Sequence, residues 1–298
     1  MQLNDIFIYA LRELNGFDDN AIDKAVHLAN NDVVENVEEF IDFINFNIEE
    51  GKFPLIKQPF SERTIRKAIE KVKSEEDQMI HRVNVIDGEY PQKLLQSQIG
   101  ALSTLAYKGN LSNLDRKTIM ITGTSSVTTN AKFASKYFGR LFASAGYNIL
   151  TSFSEGCEQC SIDGCIEAQG LSSFFLPHCI NHLSAKELQV IKPELETGRS
   201  TLISAHTNIT SNVDTIDDSY RYLAALADCL IIPQISHDDN VMRLVQKCLA
   251  ANKPVFLIRY KTGNGKEYDC TRMLELQKIR YLSSNTALLQ VKNVIGEV

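Results

Sequence analysis

Apolar residues recur at helical spacing through the first fifty positions: Ile6, Ile8, Leu11 and Leu14, then Ile22, Ala25, Val26 and Ala29, then Val37, Phe40, Ile41 and Ile44. A proline-punctuated connection, FPLIKQPF (53–60), precedes a charged segment, SERTIRKAIEKVKSEED, in which Ser61 is placed to cap a fourth helix. The pattern predicts a small all-helical domain over residues 1–80. Beyond residue 115 it changes. Short apolar runs of strand length fall at 118–123, 147–153, 171–177, 201–204, 229–234 and 254–260. Helical stretches separate them at 131–145, 157–169, 184–196, 218–228 and 239–252. Strands that are apolar throughout and alternate with helices predict a doubly wound, mostly parallel α/β domain, covered on both faces and spanning 81–298.

Composition fits that picture and narrows the function. The chain has 298 residues, 44% of them apolar and 23% charged, as in a globular protein. No apolar run approaches the ~20 residues that cross a bilayer, and the charged N-terminus predicts no signal peptide, hence no membrane partner and a cytoplasmic location. The net charge of -6 is unevenly spread. Residues 1–80 hold 17 acidic against 9 basic side chains, and the remainder carries a net +2. A surface that binds nucleic acid all over is excluded; a basic groove on the larger domain is not.

Seven cysteines, Cys157, Cys160, Cys165, Cys179, Cys229, Cys248 and Cys270, do not suggest a disulfide framework in such a chain. Cys157, Cys160 and Cys165 have a metal-like spacing, with His178 and His182 following. On a helix, however, they spread over about 140° and do not converge, so small buried hydrophobes are expected and no metal.

Ligands of open α/β sheets bind at the carboxyl ends of the strands. The loop after the first strand of the predicted domain reads Thr122-Gly123-Thr124-Ser125-Ser126-Val127-Thr128-Thr129-Asn130. Six of these nine residues are Ser or Thr, more than helix capping needs. Hydroxyls and amides at a helix N-terminus suit phosphate oxygens. There is no G-x-G-x-x-G and no G-x-x-x-x-G-K-[ST], which removes dinucleotide dehydrogenases and P-loop ATPases.

The order of these segments resembles the DprA/Smf family of DNA-processing proteins. Tyr90, Pro91 and Leu94, with Tyr107, Lys108 and Gly109, match the family's lead-in. Its first loop, Val-Gly-[ST]-Arg-x-x-[ST], falls on Thr122, Gly123, Thr124, Ser125 and Thr128. Its second block falls without gaps on 151–158, including Ser152, Gly156 and Glu158, and its third on 219–227, including Arg221. The resemblance implies a Rossmann-like domain and non-catalytic binding of single-stranded DNA in support of recombination or DNA uptake. It further implies a recombinase partner and a homodimer built through the α/β domain. The residues expected at nucleic acid or phosphate are Gly123, Thr124, Ser125, Ser126, Thr128, Ser152, Gly156, Glu158, Arg221 and Lys132.

The departures bear on strength. Ser125 stands where the family has Arg, and only Arg221 survives of the two arginines in the third block. The loop 235–240 carries Asp238 and Asp239. Each lost arginine removes a charge-assisted contact of about 1.5–3 kcal/mol, so a weakened DNA site is expected. Tyr220 and Tyr222 could stack on bases, although on a helix one of them should pack in the core. Glu158 could instead accept hydrogen bonds at its helix start. A second reading is a sensor of a small nucleotide-derived ligand in the same pocket. The fold is also shared with phosphoribohydrolases, but their signature needs adjacent glycines, which this chain lacks. The six histidines fall in no nucleophile context, so no catalytic residue and no cofactor are expected.

Overall fold

The computed structural model describes residues 3–11, 17, 19–31, 36–54, 60–97, 104–205, 213–235, 240–258, 260 and 279–296. Its contacts divide the chain into two units, Met1–Tyr90 with Ala101–Tyr107, and Pro91–Gly100 with Lys108–Val298.

The described residues of the first unit form the helices α1 (Leu3–Tyr9), α2 (Asp19–Asn31), α3 (Val37–Glu49) and α4 (Glu62–Glu76). Ile65, Ala68 and Val72 of α4, spaced by three and four, join Phe40 and Ile44 of α3 in one core. The Phe7 and Phe40 rings stack at 3.7 Å, and Phe60 meets Phe40 edge-on. Asn36 caps α3 by accepting the Glu39 amide. Ser61 stands at the start of α4 in extended conformation, but its hydroxyl makes no cap bond and lies instead 3.4 Å from the Thr64 hydroxyl. An antiparallel pair, β1 (His81–Asn84) and the start of β2 (Thr104–Gly109), follows the helices, with His81 opposite Tyr107. The apolar pattern is too short there to have announced it.

The second unit opens on the short α5 (Gln92–Leu95). Strands and helices then alternate: β3 (Thr118–Ile121), α6 (Thr129–Ser144), β4 (Asn148–Thr151), α7 (Cys157–Glu167), β5 (Leu171–Leu176), α8 (Ala185–Glu196) and β6 (Ser200–Ser204). The series continues with α9 (Val213–Leu226), β7 (Cys229–Ile232), α10 (Val241–Ala250), β8 (Val255–Ile258), β9 (Arg280–Leu282) and α11 (Ala287–Ile295). The strands run in the order β6-β5-β4-β3-β7-β8-β9, and every pair is parallel. All residues of β3, β4, β6 and β7 are buried, as expected for a sheet covered on both faces. This is the doubly wound α/β architecture.

The order has a physical consequence. Connections leave β3 toward β4 on one side, whereas β7 lies on the other, so a crevice opens at the carboxyl ends of β3 and β7. Helices α6 and α7 cover one face and pack very closely. A Cβ on Gly139 would sit 2.0 Å from the Ser161 carbonyl, and one on Gly164 2.0 Å from that of Lys136. Among the described residues no helix is long and apolar enough to cross a membrane.

Candidate nucleic-acid interface

Three loops meet at the crevice: 122–128 after β3, 152–156 after β4, and the segment beginning at Pro233 after β7. They touch at backbone distance because glycine stands at the contacts. A Cβ on Gly123 would lie 2.3 Å from the Gln234 carbonyl and 2.7 Å from Cys157 Sγ. Gly156 has φ +85°, a conformation that L side chains resist, and its Cβ would strike the Thr124 carbonyl at 2.4 Å. The backbone stitches the loops together: Thr124 N–H donates to the Gln234 carbonyl (2.9 Å) and Cys157 N–H to the Thr124 carbonyl (3.2 Å).

Two polar side chains brace this arrangement. Glu158, in the first turn of α7, is 3% exposed. Its carboxylate accepts from the Thr122 hydroxyl (2.5 Å), the Ser152 amide (2.9 Å) and hydroxyl (2.8 Å), and the Ser154 amide (2.9 Å). Burial pushes its carboxyl above the usual range, and those same bonds pull it back. Gln234 is the other brace. Its Oε1 accepts both the amide (3.0 Å) and hydroxyl (2.9 Å) of Thr128, which in turn caps α6 by accepting the Ala131 amide at 3.3 Å.

What this frame leaves facing outward is a row of hydroxyls at the N-terminus of α6. Ser125 and Ser126 are exposed, as are Thr129 and Lys132 on the first turns of the helix. The helix dipole adds to the attraction for an anion there. Among the described residues no group of His, Cys, Asp or Glu could hold a metal ion. Two of the three thiols of α7 serve packing: Cys157 and Cys165 are buried, and burial pushes both up to about 12, whereas Cys160 is half-buried.

A family model, that of DNA recombination-mediator protein A, matches residues 81–290. The chain belongs to this family. No curated protein matches it in sequence. Among solved structures, DNA processing protein A (DprA) from Streptococcus pneumoniae superposes with a TM-score of 0.68 at 14% identity, over 97% of this chain and 98% of that one. The corresponding protein of Helicobacter pylori, solved to explain its own single-stranded DNA binding mode, gives a TM-score of 0.60 at 16% identity, over 72% of this chain and 97% of that one. At these identities the likeness shows the fold.

Within this member of the recombination-mediator family, the expected site residues separate into three groups. Ser125, Ser126 and Lys132 face solvent at the crevice, with Thr128 and Ser152 half-buried behind them. Gly123, Thr124, Gly156 and Glu158 are turned to the frame: Thr124 Oγ1 accepts the Ser126 amide, and Glu158 has both oxygens occupied. The Glu158 carboxylate therefore positions the loops and does not face a ligand. Arg221 is elsewhere. It lies two-thirds of the way along α9 and lines a cavity with Lys93, Asp228, Lys247 and Lys253, at the amino ends of β7 and β8. The block in which it sits follows the family pattern, but the geometry does not bring it to the hydroxyl loop. Tyr222 is likewise no platform: it is buried and stacks on Phe175 at 5.3 Å. Residues 236–239, with their two aspartates, and His206 fall outside the described residues. Sequence reasoning missed Gln234, whose one available signal was its place just past the end of a buried strand.

Proposed function

We propose that this protein binds single-stranded DNA without catalysis, in the cytoplasm, in support of recombination or DNA uptake, with the crevice loop 124–128 as its phosphate-facing element. The observation that carries the reading is the outward row of Ser125, Ser126 and the α6 N-terminus, held rigid by Glu158 and Gln234 at the switch point of a recombination-mediator fold. Such a row supplies neutral donors where the family has an arginine. Affinity is therefore modest, and one loop charge should change it sharply. A recombinase as partner and a homodimer through the α/β unit belong to the same proposal.

The test is single-stranded DNA binding by the full chain across a salt series. Affinity should be measurable at low salt and fall as salt rises. Ser125→Arg should raise it by about tenfold or more and steepen the salt slope by about 0.7, the increment for one added contact to a single strand. Salt-independent binding, or none at low salt, would refute the reading. The lack of an arginine at position 125 also suits a small nucleotide-derived ligand in the same crevice. A nucleotide that raises the melting temperature while DNA does not would favour that second reading.

A further inference from the structure

Helix α6 carries two large aromatic side chains that stand partly or wholly outside the core. Phe133 is 73% exposed and Tyr137 46% exposed, and their spacing of four places them on one face. Across from them lie Ile258 and Tyr260 at the carboxyl end of β8, Tyr281 on β9, and Ser284 beyond it, enclosing a groove of about 810 Å³. That volume falls in the ~300–1,000 Å³ range of small-molecule sites. The lining mixes rings with hydroxyls. Tyr137 donates to the Ser284 carbonyl (3.3 Å) and Tyr260 to the Pro233 carbonyl (2.9 Å).

The second of these bonds joins the groove to the crevice. Pro233 is the neighbour of Gln234, whose side chain holds Thr128. The same helix therefore begins at the hydroxyl loop and presents its aromatic face five residues later, about 7.5 Å along the axis. Arg140, exposed and three residues past Tyr137, continues that face with a positive charge. Groups for phosphate beside exposed rings and a cation are the elements that sequence-tolerant binding of a single strand combines.

We propose that this groove is a base-stacking platform, in which Phe133 and Tyr137 take the bases of a single strand whose backbone runs over loop 124–128. The inference rests on the proposed DNA binding and adds a second half to that site. Rings stack on any base through its π-face, so the platform adds affinity without sequence preference.

The experiment compares an oligothymidylate with an abasic strand of the same length, both end-labelled, by fluorescence anisotropy on the full chain. Phe133→Ala with Tyr137→Ala should lower oligothymidylate affinity by about 5- to 150-fold, the factor for one stacked base. Affinity for the abasic strand and the salt slope should not change, because no charge is removed. Phe133→Tyr should keep wild-type affinity, and Phe133→Ala alone, at a ring that is 73% exposed, should lower oligothymidylate affinity while the melting temperature holds. Wild-type binding that survives the double substitution would overturn this inference and leave the proposed function standing. So would an equal loss for the abasic strand. A loss that tracks dissociation of a dimer in sedimentation would also overturn it, marking the groove as a contact between copies. If the wild type binds neither strand, the inference and the proposed function fail together.

Discussion

The two ends of the parallel sheet are built on opposite plans. Past the carboxyl ends of β3 and β4 the exposed groups among the described residues are mostly hydroxyls, with Lys132 and Glu155 beside them, and the loops that carry them meet through glycines. At the amino ends of β3 and β7 the side chains are charged and matched. Lys93 Nζ donates to the Arg116 and Leu226 carbonyls, to the Thr118 hydroxyl and to Asp228 at 2.7 Å. Asp228 also accepts the Thr118 amide at 2.7 Å, and Lys247 pairs with Asp217 at 2.8 Å. Density of charge therefore does not mark a ligand site. Cations whose donors are already engaged tie chain segments together, and donors turned to water are the ones a ligand can use.

Removing a brace should be the most damaging way to disturb the carboxyl end. Glu158→Ala would strip partners from the Thr122 and Ser152 hydroxyls and from the Ser152 and Ser154 amides, and leave a void. Each stranded buried donor costs about 1–3 kcal/mol, part of which water would recover, so a loss of about 3–5 kcal/mol is expected. Urea unfolding would measure it, and single-stranded DNA binding should fall with it. A loss below about 1 kcal/mol would mean that the loops do not depend on this carboxylate.

The amino end should yield next. Lys93→Met keeps the aliphatic stem but leaves Asp228, which is mostly buried, with the Thr118 amide and a Lys117 at 3.9 Å as its partners among the described residues. Breaking such a pair from one side costs about 2–3 kcal/mol after allowance for partial exposure. Here DNA affinity should stay within about twofold. The contrast with Glu158→Ala is the comparison in its sharpest form, since both variants lose stability and only one loses the ligand.

Much of this was legible in the chain. Runs such as TIMI and CLII, apolar but for Thr118, admit little but buried parallel strands, and the Ser/Thr run after β3 located the crevice. Three things were not legible. β1 and β9 have only four and three residues, too few for a period to appear. Inward or outward aim within a loop has no period at all, so Thr124 and Ser125 look alike in sequence although one is buried and the other exposed. The roles of Gln234, and of Tyr260 facing Phe133, depend on which strands are neighbours, and that order is set by the whole sheet.

A smaller effect tests the electrostatics of the brace. Glu158→Gln keeps the shape, and its amide can face Thr122, whose hydroxyl can accept instead of donate. The mean cost should be about 1 kcal/mol. Because burial raises the native carboxyl above its unfolded value, the folded state holds its proton to higher pH. Wild-type stability from this group is thus present below the unfolded glutamate range and is lost as pH rises through the native value. Glutamine does not titrate. The gap between wild type and variant should narrow from pH 4 to pH 8, and a gap that widened would reverse the sign assigned to burial.

The smallest expected effect is the most pointed about the two ends. Arg221 is the one arginine of the family's third block that this chain retains, and on sequence grounds it belongs with the DNA. In the structure it is 41% exposed, makes a 3.4 Å pair with Asp218 one turn earlier on α9, and lines the cavity at the amino ends of the strands. An exposed pair of this kind contributes about 0–1 kcal/mol, so Arg221→Ala should leave unfolding within about 0.5 kcal/mol of wild type. Its side chain lines the cavity at the amino ends of β7 and β8, whereas Ser125 stands past the carboxyl end of β3. Affinity should therefore change less than twofold and the salt slope should not move. A several-fold loss with a shallower slope would show that DNA reaches the amino end as well, and the distinction between a ligand-binding end and a structural end would fail at this residue.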